Sequence, residues 1–437
     1  MKQTKASIIG RRDILKTMGV SLALPAVSIF PGRARAAEPV TLNMWQWIPD
    51  FDTQVELFNK ANPNIKLAQL NVGGSAAQSV KLRNVLTAKT GGPDIVMFTY
   101  AQVNGFARLG AMADLTPFGA ADLKSKFTSY AWNELSKDGK IYGLPLDCAP
   151  LVQVYRQDLF EQFNVKVPQN WDEFADAAMK VHAKSPKTFL SNCLFSRGEW
   201  TIAQLWQMGW RGIETKGDTI SIEMNGKISK DLAKYWQALL DDKLVEAQPG
   251  FTTDFFSALD DDRYLEIIAG SWFPNYFRPQ ARKTAGKWRV AAAPQVKSGN
   301  TQTAFGGAAF GVWPDTKHPK EAFETIKWLL TERKPTELYV NKQFLTPTLN
   351  ELLDDRPLLD TAFEFCGGQK VNEVVFDAAK KILPPVATAP FHDYVLEIMN
   401  DELSQAAAGK RKLAEAFDRL QDKLVAFAKD QGFTVKT

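Results

Sequence analysis

The sequence predicts an α/β protein of two domains, and three observations carry that prediction. A chain of 437 residues exceeds what one core ordinarily organises, on a scale of roughly 100–200 residues per domain. Its composition, 45% hydrophobic and 23% charged, is that of a globular protein and excludes disorder. Strand-like and helical runs alternate, the order that builds parallel layers with ligands bound beyond the carboxyl ends of the strands.

The N-terminal residues 1–36 read as an address: GRRDILK carries paired arginines, Thr17 to Phe30 is a short apolar run holding Pro25, and Ala34-Arg35-Ala36 offers small residues for cleavage after Ala36. The segment resembles a twin-arginine export signal, with Gly10 and Ile14 where Ser or Thr and Phe are commoner. The apolar run is shorter than the roughly 20 residues of a membrane helix, and no cysteine comes after the cut to carry a lipid. An exported, soluble, non-lipidated periplasmic protein is expected.

That segment holds seven of the 53 Lys and Arg and one of the 49 acids, which leaves 46 bases against 48 acids. The positive balance of the full chain therefore belongs to the signal, and nothing supports nucleic-acid binding.

Val40, Leu42 and Met44 alternate as the buried face of a first strand, while Trp45 and Trp47 share the other face with Thr41 and Asn43. The tryptophans suit either packing under a covering helix or a flat platform for a ligand. Asp52–Ala61 has helical spacing and stops before Asn62-Pro63. Ile65–Val72 is extended, Ala76–Thr87 helical and Asp94–Phe98 a buried strand, so Trp45 to Trp47 and Thr99-Tyr100 fall at strand ends. At the far end Leu413, Phe417, Leu420, Leu424 and Phe427 make one apolar helical stripe, expected to pack on its own domain.

The chain lacks the GxSxG, GxxxxGK[ST], GxGxxG and HExxH patterns. Lys89-Thr90-Gly91 has no serine–lysine partner motif. His182, His318 and His392 are scattered and expected at the surface or satisfied, so no metal site or cofactor is expected. Asp260-Asp261-Asp262 lacks the glycine and spacing of a calcium loop and reads as a solvated helix end. Three cysteines are an odd count: Cys148 with Cys193 is the pair to expect if one closes, and free buried thiols are an equal reading.

From Ile141 the chain runs IYGLPLDCAPLVQVYRQDLFEQFNVKVPQNWDEF. Tyr142-Gly143-Leu144-Pro145, Asp147, Tyr155, Asp158-Leu159-Phe160 and Pro168, Trp171, Glu173, Phe174 resemble, in order, the pattern of family 1 extracellular solute-binding proteins, receptors of ABC importers for sugars. IIAGSWFP (267–274) and FGGAAFGVW (305–313) resemble that family's Gly-Ser-Trp and Gly-Gly strands. HPKEAFETIKWLL resembles its next helix, and FLTPTLNELLDD its Pro-containing crossover. Phe163-Asn164 departs from the usual Ala-Gly.

The resemblance implies a periplasmic-binding-protein fold, two α/β lobes around a ligand cleft, with a hinge crossed near Asp147, Phe305 and Pro347. The lobes would be 37–147 with 305–346, and 148–304 with 347–437. A sugar has apolar faces and a rim of hydroxyls, so its receptor wants flat aromatics and planar polar groups. Trp45, Trp47 and Trp272 are the stacking candidates. Asp147 is the candidate carboxylate, with turn-capping at the hinge as its plainer role. Gln46, Thr99, Tyr100, Tyr155 and Trp206 complete the set, and Gly270 and Gly307 allow close backbone approach.

No cation pair falls on these positions, so a neutral mono- or oligosaccharide or polyol is expected, delivered to a membrane permease by a monomer. A polyamine receptor, needing acids around the aromatics, and a secreted carbohydrate-active enzyme are the alternatives.

Overall fold

The structure, a computed structural model, describes residues 39–296, 299 and 301–437. Residues 1–36, where an export signal is expected, lie outside them. Nine strands build two sheets: β1 Val40–Gln46, β2 Ile65–Asn71, β3 Ile95–Thr99, β4 Leu144–Asp147, β5 Leu151–Arg156, β6 Phe189–Ser191, β7 Tyr264–Gly270, β8 Trp288–Ala292 and β9 Ala308–Val312. The first sheet has the order β2-β1-β3-β9-β4, and the second β8-β5-β7-β6.

In the first sheet β1 runs parallel to β2 and β3, as the alternation requires, while β9 returns antiparallel between β3 and β4. Leu42 and Met44 of β1 are fully buried and Thr41 and Asn43 exposed. The helix Asp52–Ala61 has the bounds its spacing predicts, and Ser75–Ala88 extends the expected one by a residue at each end. In the second sheet β5 lies antiparallel between β7 and β8.

Asn164 ends the helix Gln157–Phe163 in the left-handed conformation, φ 51°. It does there what glycine commonly does, so the departure from the family pattern leaves the helix end intact. The helix Trp171–Lys184 starts from Asn170, whose side chain accepts from the Glu173 N–H at 3.0 Å.

Three segments run side by side between the sheets. Cys148 N–H donates to the Thr346 carbonyl at 3.0 Å and Phe305 N–H to the Ala149 carbonyl at 2.9 Å, and Asp147 bridges to Pro347. Ala149 (φ 45°), Gly306 (φ 99°) and Gly307 (φ 101°) turn the chain through the left-handed region here.

The helix Pro319–Thr331 packs on the first sheet and Val371–Lys380 on the second. The helix His392–Ala407 touches both sides, through Tyr100–Arg108 and through Gly198–Gln207. The C-terminal helix Leu413–Asp430 spends its apolar stripe on His392–Ala407 and Lys227–Asp241, so it is an internal packing element.

Of the two readings of the cysteines, the structure has the free one: Cys148, Cys193 and Cys366 are free and buried, Cys148 and Cys193 are not paired, and Cys148 Sγ is 3.5 Å from the Pro347 carbonyl. The run 260–262 is the solvated helix end expected, closing the helix Thr253–Asp260 with Asp261 and Asp262 exposed, and it also carries bonds: Asp260 accepts from Thr284 Oγ1 (2.7 Å), Asp261 pairs with Lys283 (2.5 Å), and Asp262 takes the buried Arg156 guanidinium (2.6 Å).

Candidate functional site

A cavity of about 310 Å³ opens where the ends of β1, β3, β4 and β7 meet the three crossing segments. Its size suits a small organic ligand. The first sheet supplies Trp47, just past β1, the turn Gly73-Gly74-Ser75 at the start of Ser75–Ala88, Thr99 and Asp147. The other side supplies Arg197, Glu199, Phe251, Trp272, Asn275 and Tyr276.

The Trp272 ring is held on three sides. It stacks on Phe251 (centroids 5.8 Å, 30° between planes), meets Tyr276 edge-on, and donates its Nε1–H to the Phe305 carbonyl at 2.9 Å. The result is a fixed apolar plate at the cavity wall. Arg197 lies over the neighbouring ring of that stack, 4.5 Å from the Phe251 centroid.

Asp147 is buried. One carboxylate oxygen accepts from the Ala308 N–H at 2.8 Å, which fixes its orientation, and burial outweighs that bond to push its pKa up to about 7. The expected hinge role and a place in the cavity wall thus belong to one side chain. Asn275 is 3% exposed, and both its amide nitrogen and its carbonyl oxygen lack a partner. Buried amides are ordinarily paired, because leaving one unmade costs about 1–3 kcal/mol.

A smaller annex of about 70 Å³ adjoins the cavity, and Thr99, Glu199, Gly306 and Gly307 line both. Its walls include Tyr100, Tyr130, Glu134, Trp206 and His392. Tyr100 donates its hydroxyl to the Asp147 carbonyl at 2.9 Å, and Trp206 donates Nε1–H to the Pro384 carbonyl at 3.0 Å. Burial pushes the Glu134 pKa up to about 8, raises that of Glu199 against the lowering effect of Arg197, and drives that of His392 down to about 4. His392 is therefore buried and neutral with an unpartnered Nδ1, not the surface or satisfied histidine expected, whereas His182 is half-buried with an unpartnered Nδ1.

Of the residues the sequence nominates, Trp47, Thr99, Asp147, Trp272 and Gly307 line the main cavity, and Tyr100 and Trp206 line the annex. Gly307 is there of necessity, since a Cβ would sit 2.5 Å from the Tyr100 ring. Four residues are placed elsewhere. Trp45 lies under Lys81 of Ser75–Ala88, whose ammonium is 4.8 Å from the ring centroid. Gln46 is fully buried and spends its amide on Gln69 (2.8 Å) and on the Ile48 N–H. Tyr155 packs edge-on against Phe160 at 5.1 Å. Gly270 makes room for Trp272, since a Cβ there would crowd that ring and sit 2.7 Å from the Phe305 carbonyl.

Sequence reasoning misses Asn275, Arg197, Glu199, Phe251 and Glu134. Gly73-Gly74-Ser75, a glycine turn between a strand and a helix, was readable as a ligand-facing turn. Asn275 lies three residues after Trp272, in the helix Phe273–Phe277, and no pattern marks it. Among the described residues no cluster of His, Cys, Asp and Glu is arranged to hold a metal ion, and no helix is long and apolar enough to cross a membrane.

The model of the bacterial extracellular solute-binding protein family matches residues 45–334. A lactose-binding protein of Rhizobium radiobacter is 23% identical, over 70% of this chain and 74% of its own. A multiple sugar-binding protein of Streptococcus mutans is 26% identical, over 64% and 68% respectively. Among solved structures, the ABC transporter associated binding protein of B. animalis subsp. lactis, in complex with β-1,6-galactobiose, superposes with a TM-score of 0.84. It is 25% identical and covers 92% of this chain and all of its own. The galacto-N-biose-/lacto-N-biose I-binding protein of Bifidobacterium longum gives a TM-score of 0.80, again 25% identical, over 91% of this chain and 99% of its own. The fold is accordingly that of the two-lobed periplasmic binding proteins, with the cavity between the lobes.

Proposed function

The chain belongs to the bacterial extracellular solute-binding proteins, and from that premise we propose that it holds a carbohydrate free of acid groups, a mono- or oligosaccharide or a polyol, in the interlobe cavity. One observation carries the reading: a plate of stacked rings, Phe251 and Trp272, stands in the same cavity as the buried, unpartnered amide of Asn275 and the oriented carboxylate of Asp147. Rings meet the apolar face of a sugar, and planar polar groups its hydroxyls. Arg197 is the cation in that lining, which also holds the carboxyls of Asp147 and Glu199, a poor clamp for an acid. The lactose and galactobiose named for the relatives support the same ligand class.

Delivery rests on the hinge. Closure of this kind is known for periplasmic binding proteins as a class: the ligand binds the closed lobes better, shifts the population, and the closed form is what the permease of an ABC importer receives. The lobes are 37–147 with 305–346, and 148–304 with 347–437. The protein works as a soluble, non-lipidated monomer after twin-arginine export to the periplasm, and it returns its ligand chemically unchanged.

The test is a melting-temperature screen of residues 37–437 against mono- and disaccharides, oligosaccharides and polyols, with each ligand recovered and identified. A ligand at about a hundred times its dissociation constant adds roughly 2.7 kcal/mol to stability. A raised melting temperature with one sugar, recovered intact, is expected. No shift with any sugar overturns the reading, and recovery of a cleaved sugar overturns the non-catalytic role.

A further inference from the structure

The annex is built for something other than a hydroxyl. Neither the Glu134 nor the Glu199 carboxyl makes a hydrogen bond or ion pair with a described residue, although both border a cavity walled by Tyr130 and Trp206, whose rings are 5.9 Å apart. Beside them His392, only 6% exposed, leaves Nδ1 buried and unpartnered. The two carboxyls and the His392 ring thus border one space of about 70 Å³, smaller than the main cavity of about 310 Å³.

An ammonium group presents three N–H donors and a positive charge. A hydroxyl presents one donor and no charge, and so cannot offset the cost of ionising either buried carboxyl as an ammonium can. Aromatic walls attract a cation further, since ring faces are electrostatically negative. No lysine or arginine among the described residues lines the annex.

Building on the carbohydrate reading, we propose that the annex receives a protonated amino group carried by the ligand, which makes the selected carbohydrate an amino sugar or an aminated polyol. The ring of that ligand lies in the main cavity against Trp272, and its amino group passes between Thr99 and Gly307 to reach Glu134 and Glu199.

Calorimetry of residues 37–437 tests this with matched probes: gluco-, galacto- and manno-configured mono- and disaccharides, each as the parent hydroxyl form, with one hydroxyl replaced by an amine, and with that amine acetylated. One amino form is expected to bind at least tenfold tighter than its parent and its acetylated counterpart. In the double variant Glu134→Gln, Glu199→Gln, that ratio is expected to fall towards one. A parent or acetylated sugar that binds as tightly as every amino form overturns the inference and leaves the carbohydrate reading standing. So does an amino preference undiminished in a double variant that melts cooperatively. Spermidine binding while no sugar binds overturns both.

Discussion

The two walls of the cleft are made of different material. The wall from the first lobe is largely strand-end backbone and small polar groups: the Gly73-Gly74-Ser75 turn, Thr99, Asp147 and the Gly306-Gly307 corner, with Trp47 at its edge. The wall from the second lobe is rings, Phe251, Trp272 and Tyr276, locked to one another and to the Phe305 carbonyl. Backbone groups at strand ends are fixed by the sheet and suit a template that sets orientation. A stack of rings offers area with little regard to which hydroxyl points where. On the proposed function, this difference puts affinity mainly on the ring wall and discrimination mainly on the strand-end wall.

The sharpest way to break that assignment is Trp272→Ala. Removing the plate should weaken ligand binding by about 2–3 kcal/mol, near a hundredfold, as loss of a central aromatic anchor does. Calorimetry with the ligand found in the screen measures it. An equal or larger loss in Trp47→Ala would place the anchor on the first wall instead.

Asp147 probes the template. Asp147→Ala should cost about 1.5–3 kcal/mol in binding, the range for hydrogen bonds to charged groups. Asp147→Asn, which keeps an oxygen for the Ala308 N–H, should cost less and alter the ranking of epimeric sugars more than their mean affinity. Asn275→Leu separates binding from stability. It removes an amide that is buried and unpaired, so the unliganded protein should gain about 1 kcal/mol while the ligand binds several-fold more weakly. A lower melting temperature in the unliganded variant would refute the account of Asn275 as a group waiting for ligand.

The annex carboxyls give a smaller, pH-dependent effect. Burial raises the Glu134 pKa to about 8, so the folded state keeps a proton that the unfolded state releases near pH 4. Stability from this group is therefore full below that lower value and is lost as pH rises towards 8. Glu134→Gln carries no such loss, so its melting temperature should exceed that of the parent protein by more at pH 8.5 than at pH 5. An equal gap at both would contradict it. Smallest of all is the Arg83–Asp393 pair at 2.9 Å, both partners reached by water. Asp393→Asn should change stability by less than about 1 kcal/mol.

The same contrast governs what was legible in the sequence. The first lobe announces itself because its strand-helix alternation is local: Leu42 and Met44 alternate, Asn62-Pro63 stops a helix, and Gly91-Gly92-Pro93 precedes a buried strand. Trp47 and Thr99 emerge from that pattern because each sits where a strand ends. Trp45, two residues earlier, carries the same signal and differs only in what covers it, the helix Ser75–Ala88 with Lys81. Gln46 looks like a ligand contact and is instead tied to Gln69. Phe251 and Asn275 reach the cavity through turns and a five-residue helix without periodicity, and Glu134 and Glu199, 65 residues apart, border one annex only through the tertiary fold. Such meetings are tertiary facts, and only the resemblance around Trp272 pointed towards them.

The arrival of β9 from across the hinge bears on how the molecule is made. This strand lies between β3 and β4, yet it is synthesised after the whole of the second sheet. Until residue 312 has left the ribosome, β3 and β4 lack the neighbour they share, so the first sheet is completed only after all four strands of the second have been synthesised. A chain ending before residue 308 should expose those strand edges and aggregate.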